Sequence, residues 1–315
     1  MTVASASVSL MAPVADPAVG ASAACCEAIT RAQARNFYHG LKLLPEPKRS
    51  QMYALYAYMR MLDDIADEDD HRDRDRRLAD LEAWRRLTHD AFDGRLPDDP
   101  PSGPGGNGGD IWPAFADLVS RRRIPRHLFD AAIAGQARDL GTPRFESFEE
   151  LEEYCYQVAG TVGVASVHVW GYTGGAETIE LAAHRGTAFQ LTNILRDLRE
   201  DAAAGRTYLP RQELADAGVT PDDLRAGRVS TGFIALVARQ AARAEAFYER
   251  SAALDARIDA DSRPTLVAMT DIYRGLLKKI ARDPGRVLRQ RVSLSLPDKL
   301  WIAWRAKRSM RKVRM

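Results

Sequence analysis

Two short acidic stripes are the residues in this chain whose types and spacing could do chemistry. In YAYMRMLDDIADEDD, from Tyr56 to Asp70, Asp63 and Asp67 stand four apart, so a helix would put both carboxylates on one face. Arg60 and Tyr56 extend that face toward the N-terminus, and Asp64 lies about 100° to its side. Like charges four apart cost a few tenths of a kcal/mol, and acids at a helix C-terminus oppose the dipole by roughly 0.3–1 kcal/mol more. A cation would relieve both penalties. The second stripe lies in FQLTNILRDLREDAAAGRTYLP, where Gln190, Asn193, Asp197 and Asp201 follow at spacings of three, four and four. One such stripe is ordinarily a solvated helix face. Two of them, each near the negative end of its helix and each continued by amides or an arginine, point to a shared ligand. Oxygen-only donors suit hard cations, and Mg²⁺ is commonly held by one or two carboxylates together with substrate phosphates. Two such helices facing each other would form a clamp for Mg²⁺ and diphosphate.

The elements that must carry these groups read as helices. Lys48 to Ala66 runs without Gly or Pro, with Met52, Leu55, Met59 and Leu62 recurring at three and four. Residues 72–92 give a solvated amphipathic helix, and residues 111–140 give two shorter ones, the second starting near Pro125. Ser147 followed by Glu150 reads as a capping box. Glu177 to Ala204 reads as one long helix closed by Gly205, and residues 230–259 and 264–282 as two more. The stretch AGTVGVASVHVWGYTGG fits either a strand or a tightly packed helix. A literal GxGxxG spans Gly103 to Gly108, but PDDPP precedes it instead of a strand, so it reads as a surface loop and not a dinucleotide site. The expected fold is all-α, a single domain of eight to ten helices without internal repeats. Residues 1–24 read as a disordered tail, 25–298 as the domain and 299–315 as a basic amphipathic tail.

Composition bounds the function. The 315 residues are 45% hydrophobic and 28% charged with net charge +2, an ordinary globular balance. From Arg286 onward, however, ten Lys or Arg face a single acid. Cys25, Cys26 and Cys155 form neither a disulfide framework nor a CxxC, so a reducing cytoplasm is expected. No apolar run reaches the 18 to 20 residues of a membrane span, and the N-terminus lacks a basic leader. The histidines show no HxxxH, and neither GxSxG nor a Walker sequence is present, which leaves zinc, serine-nucleophile and P-loop chemistry unsupported. No nucleic-acid partner is expected.

The motifs resemble those of the squalene and phytoene synthase family, which joins two prenyl diphosphates through their first carbons. The resemblance spans roughly Ile29 to Trp301 and rests on YAYMRMLDDIAD, on YCYQVAGTVG, on QLTNILRDLRED followed by GRTYLP, and on NFYHGLKLLP. The chain departs from the family pattern at Ala34, where many members carry Ser, and at His39 and Leu41, positions often aromatic.

The resemblance implies an all-α isoprenoid synthase bundle with a central cavity. It implies that Asp63 and Asp67 on one side, and Asn193, Asp197 and Asp201 on the other, hold two or three Mg²⁺. Arg60, Tyr56, Arg206, Tyr208, Tyr273 and Arg291 would hold diphosphate oxygens, work that suits planar guanidinium and phenol groups. Gln190 would line the cavity, and Tyr154 would relay the proton lost when a cyclopropylcarbinyl diphosphate closes. Quenching of the last cation by proton loss, hydride or water would decide the product, so NADPH is an optional reductant. The sequence leans to C15 substrates. Trp301, Ile302 and Trp304 beside Lys and Arg suggest peripheral contact with the cytoplasmic membrane face. The competing readings are a class I terpene cyclase, a head-to-tail prenyltransferase, and a helical protein that binds prenyl diphosphate without turnover.

Overall fold

The computed structural model describes residues 16–308 apart from residues 35, 67–73, 98–109, 142, 296 and parts of the stretch beyond 298. Helices account for nearly all of its regular structure: α1 Pro17–Gln33, α2 Asn36–Leu41, α3 Lys48–Ala66, α4 Arg74–Asp93, α5 Trp112–Arg122, α6 Arg126–Asp139 and α7 Phe148–Cys155. A π-helical turn, Tyr156–Gly160, joins α7 to α8 Thr161–Trp170. There follow α9 Gly175–Arg196, α10 Leu198–Ala203, α11 Arg211–Asp216, α12 Pro221–Arg225, α13 Thr231–Arg250, α14 Leu254–Arg257, α15 Arg263–Arg282 and α16 Arg286–Arg289. Among the described residues the only β pairing is an isolated bridge between Tyr172 and Ile258.

Local chemistry explains the main boundaries. The Glu46 carboxylate accepts the Ser50 N–H and starts α3. Left-handed Gly205 stops α10. The alternating valines of the ambiguous stretch lie on α8, because Gly163 and Gly186 let α8 and α9 approach almost backbone to backbone. A Cβ at Gly163 would stand 2.5 Å from the Ala182 carbonyl, and one at Gly186 2.2 Å from that of Ala159.

Several boundaries differ from expectation. The tail read over residues 1–24 gives way to α1 at Pro17, because Asp16 caps the helix through the Ala18 N–H and Pro17 takes its first position. Ser147 accepts from the Glu150 N–H, but the Glu150 carboxylate reaches the Glu146 N–H, so only half of the capping box forms. The long helix expected to end at Ala204 breaks at Asp197, where φ is −101° and the side chain is drawn to two arginines. The helix expected to reach residue 259 ends at Arg250, because Arg185 takes both the carbonyl and the hydroxyl of Ser251. The GxGxxG loop and Trp304 lie outside the described residues.

Two apolar cores flank α9. The first is built on α3, where Tyr58 stacks on Phe115 at 4.2 Å and meets Trp84, Trp112 and Phe129. Burial of each such ring contributes roughly 2–3 kcal/mol. The Tyr58 hydroxyl is satisfied by Thr88 at 2.7 Å. The second core joins α9, α13 and α15 through Leu191, Leu195, Phe233, Phe247 and Ile280, and Ile302 is buried against it.

Candidate active site

Between these cores runs a cavity of about 340 Å³ with mostly apolar walls, including Met59 from α3, Val158 and Val162 from the π turn and α8, and Leu266 and Met269 from α15. Most of its polar lining gathers where α3, α6, α9 and α15 meet, as Tyr56, Arg60 and Asp63, Gln136, Gln190 and Asn193, and Tyr273, with Ser166 and the buried Arg185 elsewhere on the wall. Phe189 and Tyr273 stack at 4.6 Å and both line the wall. The arrangement pairs a greasy chamber with a charged rim.

The described part of the first stripe, Tyr56, Arg60 and Asp63, sits on α3. Arg60 donates to Asp63 at 3.2 Å and pairs with Asp64, while the Gln136 amide donates to the other Asp63 oxygen at 3.2 Å. Burial, partly opposed by Arg60, raises the Tyr56 phenol. Asp67 lies outside the described residues.

The second stripe is more enclosed. Asp197 accepts from Arg196 Nε at 2.9 Å and from Arg291 Nε at 3.1 Å. Asp201 lies 3.7 Å from Arg206. Burial pushes the Asp201 carboxyl up to about 7, against the pull of Arg206 and with the help of Asp197 and Asp139. Asn193 Oδ1 is buried with no hydrogen-bond partner, its amide nitrogen turned to Gln190 at 3.4 Å. An orphaned carbonyl beside two carboxylates is a donor set that fits a hard cation. Among the described residues, however, no three His, Cys, Asp or Glu side chains converge tightly enough to hold a metal by themselves.

Tyr154 and Tyr208 stand elsewhere than the cavity wall. Tyr154 is buried, and its hydroxyl donates to Asp139 Oδ2 at 2.7 Å, while that of Tyr208 donates to Asp139 Oδ1 at 3.1 Å. The two rings stack at 5.5 Å. Burial raises the Asp139 carboxyl to about 6, with the two phenols and Arg206 opposing and Asp63 reinforcing the shift.

The squalene/phytoene synthase family profile matches residues 30–298 of the chain. The chain belongs to the squalene/phytoene synthase family. It is therefore a prenyltransferase, and the reaction of its family is the head-to-head joining of two prenyl diphosphates. The chain is 36% identical to a phytoene synthase of Mycobacterium tuberculosis over 280 residues, 88% of this chain and 87% of that one. It is 34% identical to a 15-cis-phytoene synthase of Synechococcus elongatus over 277 residues, 84% and 86% of the two chains. A crystal structure of a dehydrosqualene synthase with ligand superposes with a TM-score of 0.81 at 29% identity, covering 94% of this chain and 99% of that one. A squalene synthase of Alicyclobacillus acidocaldarius superposes at 0.75 with 26% identity, covering 86% and 97%. Membership of this family sets aside the terpene-cyclase and head-to-tail readings.

Within this synthase fold, Arg196, Gln136 and Asp139 join the site without having been singled out by sequence. Arg196 was visible inside NILRD, three residues after Asn193 and so beside it on a helix. The signal for Asp139 was fainter: an acid closing α6 against the helix dipole, the same feature that marked the first stripe.

Proposed function

We propose that the chain condenses two prenyl diphosphates in a Mg²⁺-dependent reaction through a cyclopropylcarbinyl diphosphate, with C20 donors and a phytoene-type product. The observation that carries this reading is the apolar cavity whose polar rim holds Arg60 and Asp63 of the first stripe and Gln190 and Asn193 of the second, the latter continued by the Asp197 group with its two arginines. The choice of C20 rests on the phytoene synthases at 34–36% identity, compared with 29% for the dehydrosqualene synthase. We propose it in preference to the C15 lean of the sequence.

Asp63, Asp67, Asn193, Asp197 and Asp201 would hold the cations. When bound, Mg²⁺ supplies Lewis-acid neutralisation of diphosphate charge. Arg60, Arg196, Arg206 and Arg291, helped by the Tyr56 and Tyr273 phenols, orient the diphosphate and stabilise it as it departs. The apolar walls exclude water from the allylic cation, and the stacked Phe189 and Tyr273 present ring faces that favour positive charge. Proton loss then yields the product, without hydride from NADPH. The basic C-terminal stretch, with Trp301 exposed, suits delivery of a hydrophobic product to an anionic bilayer at the cytoplasmic face.

Mass spectrometry of products from C15 and C20 diphosphates, with and without NADPH, tests the reading. A C40 hydrocarbon indifferent to NADPH is expected. A C30 product would restore the C15 choice, a larger yield of reduced product with NADPH would replace proton loss by hydride quenching, and Mg²⁺-dependent binding without turnover would leave a prenyl-diphosphate carrier.

A further inference from the structure

Asp139 belongs to neither acidic stripe. It closes α6, is partly buried, and receives one phenol on each oxygen: Tyr154 from α7 at 2.7 Å and Tyr208 from the connection after α10 at 3.1 Å. Its charged neighbours are Asp63 from α3 and Arg206, and it in turn raises Asp201 on α10. The Arg138 guanidinium lies over the Tyr154 ring at 5.9 Å. The carboxylate thus stands in the field of both stripes.

A phenol has one proton. While Asp139 is ionised, both phenol protons are committed to it, and Tyr154 and Tyr208 can meet a ligand only as acceptors. When Asp139 takes up one proton, its O–H donates to one of the two phenols, and that phenol's own proton becomes free to turn outward. We infer that Asp139 is a positioning residue that decides whether Tyr154 and Tyr208 face the diphosphate end of the site as hydrogen-bond acceptors or as donors. The inference rests on the prenyl diphosphate reading above and explains how two tyrosines off the cavity wall serve the reaction. One carboxylate sets both.

Asp139→Asn tests this with little change in size. An amide offers one acceptor and one donor, so it keeps one phenol bond and fixes the other phenol outward. The expected result is a fall in kcat of about 10- to 100-fold, with KM for the diphosphate moving less than about threefold. Any acid-side inflection that Asp139 gives the wild-type kcat profile should vanish in the variant. In a Tyr154→Phe, Tyr208→Phe background the same substitution should cost less than about twofold, because its route of action is already gone. A tyrosine ultraviolet difference spectrum between pH 5 and 8 gives a readout independent of turnover. The metal-free wild type should show a change centred near pH 6 that Asp139→Asn abolishes. An unchanged kcat and spectrum in Asp139→Asn, or an undiminished penalty in the doubly substituted background, overturns the inference. An inactive wild type whose spectrum still titrates through Asp139 would instead overturn the functional reading alone.

Discussion

The two acidic stripes look alike in sequence and differ in the fold. Asp63 lies on the continuous helix α3 with its side chain half exposed, at 50%, whereas the Asp201 side chain is only 15% exposed beyond the break at Asp197. Water and Arg60 share the charge of the first. The second is desolvated enough to hold a proton near neutral pH, and it needs added positive charge to release it. One stripe is ready for a cation, and the other is made ready by it.

Removal of Mg²⁺ by a chelator should have the largest effect, a loss of turnover of about 10³-fold or more, read by product formation and restored by added Mg²⁺. Asp63→Ala and Asp197→Ala should each cost about 10²- to 10³-fold in kcat. Asp70→Ala, outside the four-residue spacing of both stripes, should leave turnover nearly intact, and a loss equal to that of Asp63→Ala would undo the assignment of Asp63 as a ligand.

A pH experiment separates the stripes directly. Because the folded-state value of Asp201, about 7, lies above the ordinary carboxylate range, the folded state keeps a proton that the unfolded chain has released. Stability of the metal-free protein should therefore fall as pH rises from about 4 to about 7 and then level off, with Asp139 adding to the fall up to about 6. Asp201→Asn should remove the part of that decline that runs up to about pH 7 in thermal melts, and Asp63→Asn should reduce only the part that Asp139 contributes below about 6. The same slope in both variants would erase the contrast.

The smallest effects belong to the arginine partners. Arg291→Ala should raise KM about 10-fold with a weaker dependence on salt, since its exposed guanidinium meets Asp197 at the rim. Asp64→Asn should change kcat less than about threefold, because Asp64 acts only by pairing with Arg60.

The sequence made the long elements readable wherever local signals and packing agreed. The bounds of α3 coincide with the Gly- and Pro-free run from Lys48 to Ala66, and the start of α6 follows Pro125. It misled where a distant side chain intervened. The ends of α9 and α13 depend on Arg291 and Arg185, and no window of local sequence contains either contact. The α8 stretch resisted assignment because its valines suit a strand, while its helical state depends on glycines from two helices meeting. In the site, the stripes were legible because repeated acids at four-residue spacing are locally costly. Asp139 was obscure because its partners arrive from 15 and 69 residues away.

The π turn between α7 and α8 gives the chain a counting rule. An α-helix advances about 100° per residue, and one wider turn adds about one residue's phase to everything downstream. Upstream of it Tyr154 turns toward Asp139, and from it onward Val158, Val162 and Ser166 face the chamber. Deleting a single residue from 156–160 would leave a smoother helix whose two ends no longer address the same reaction. Substitutions there alter one side chain, but a change in length would rotate half the wall.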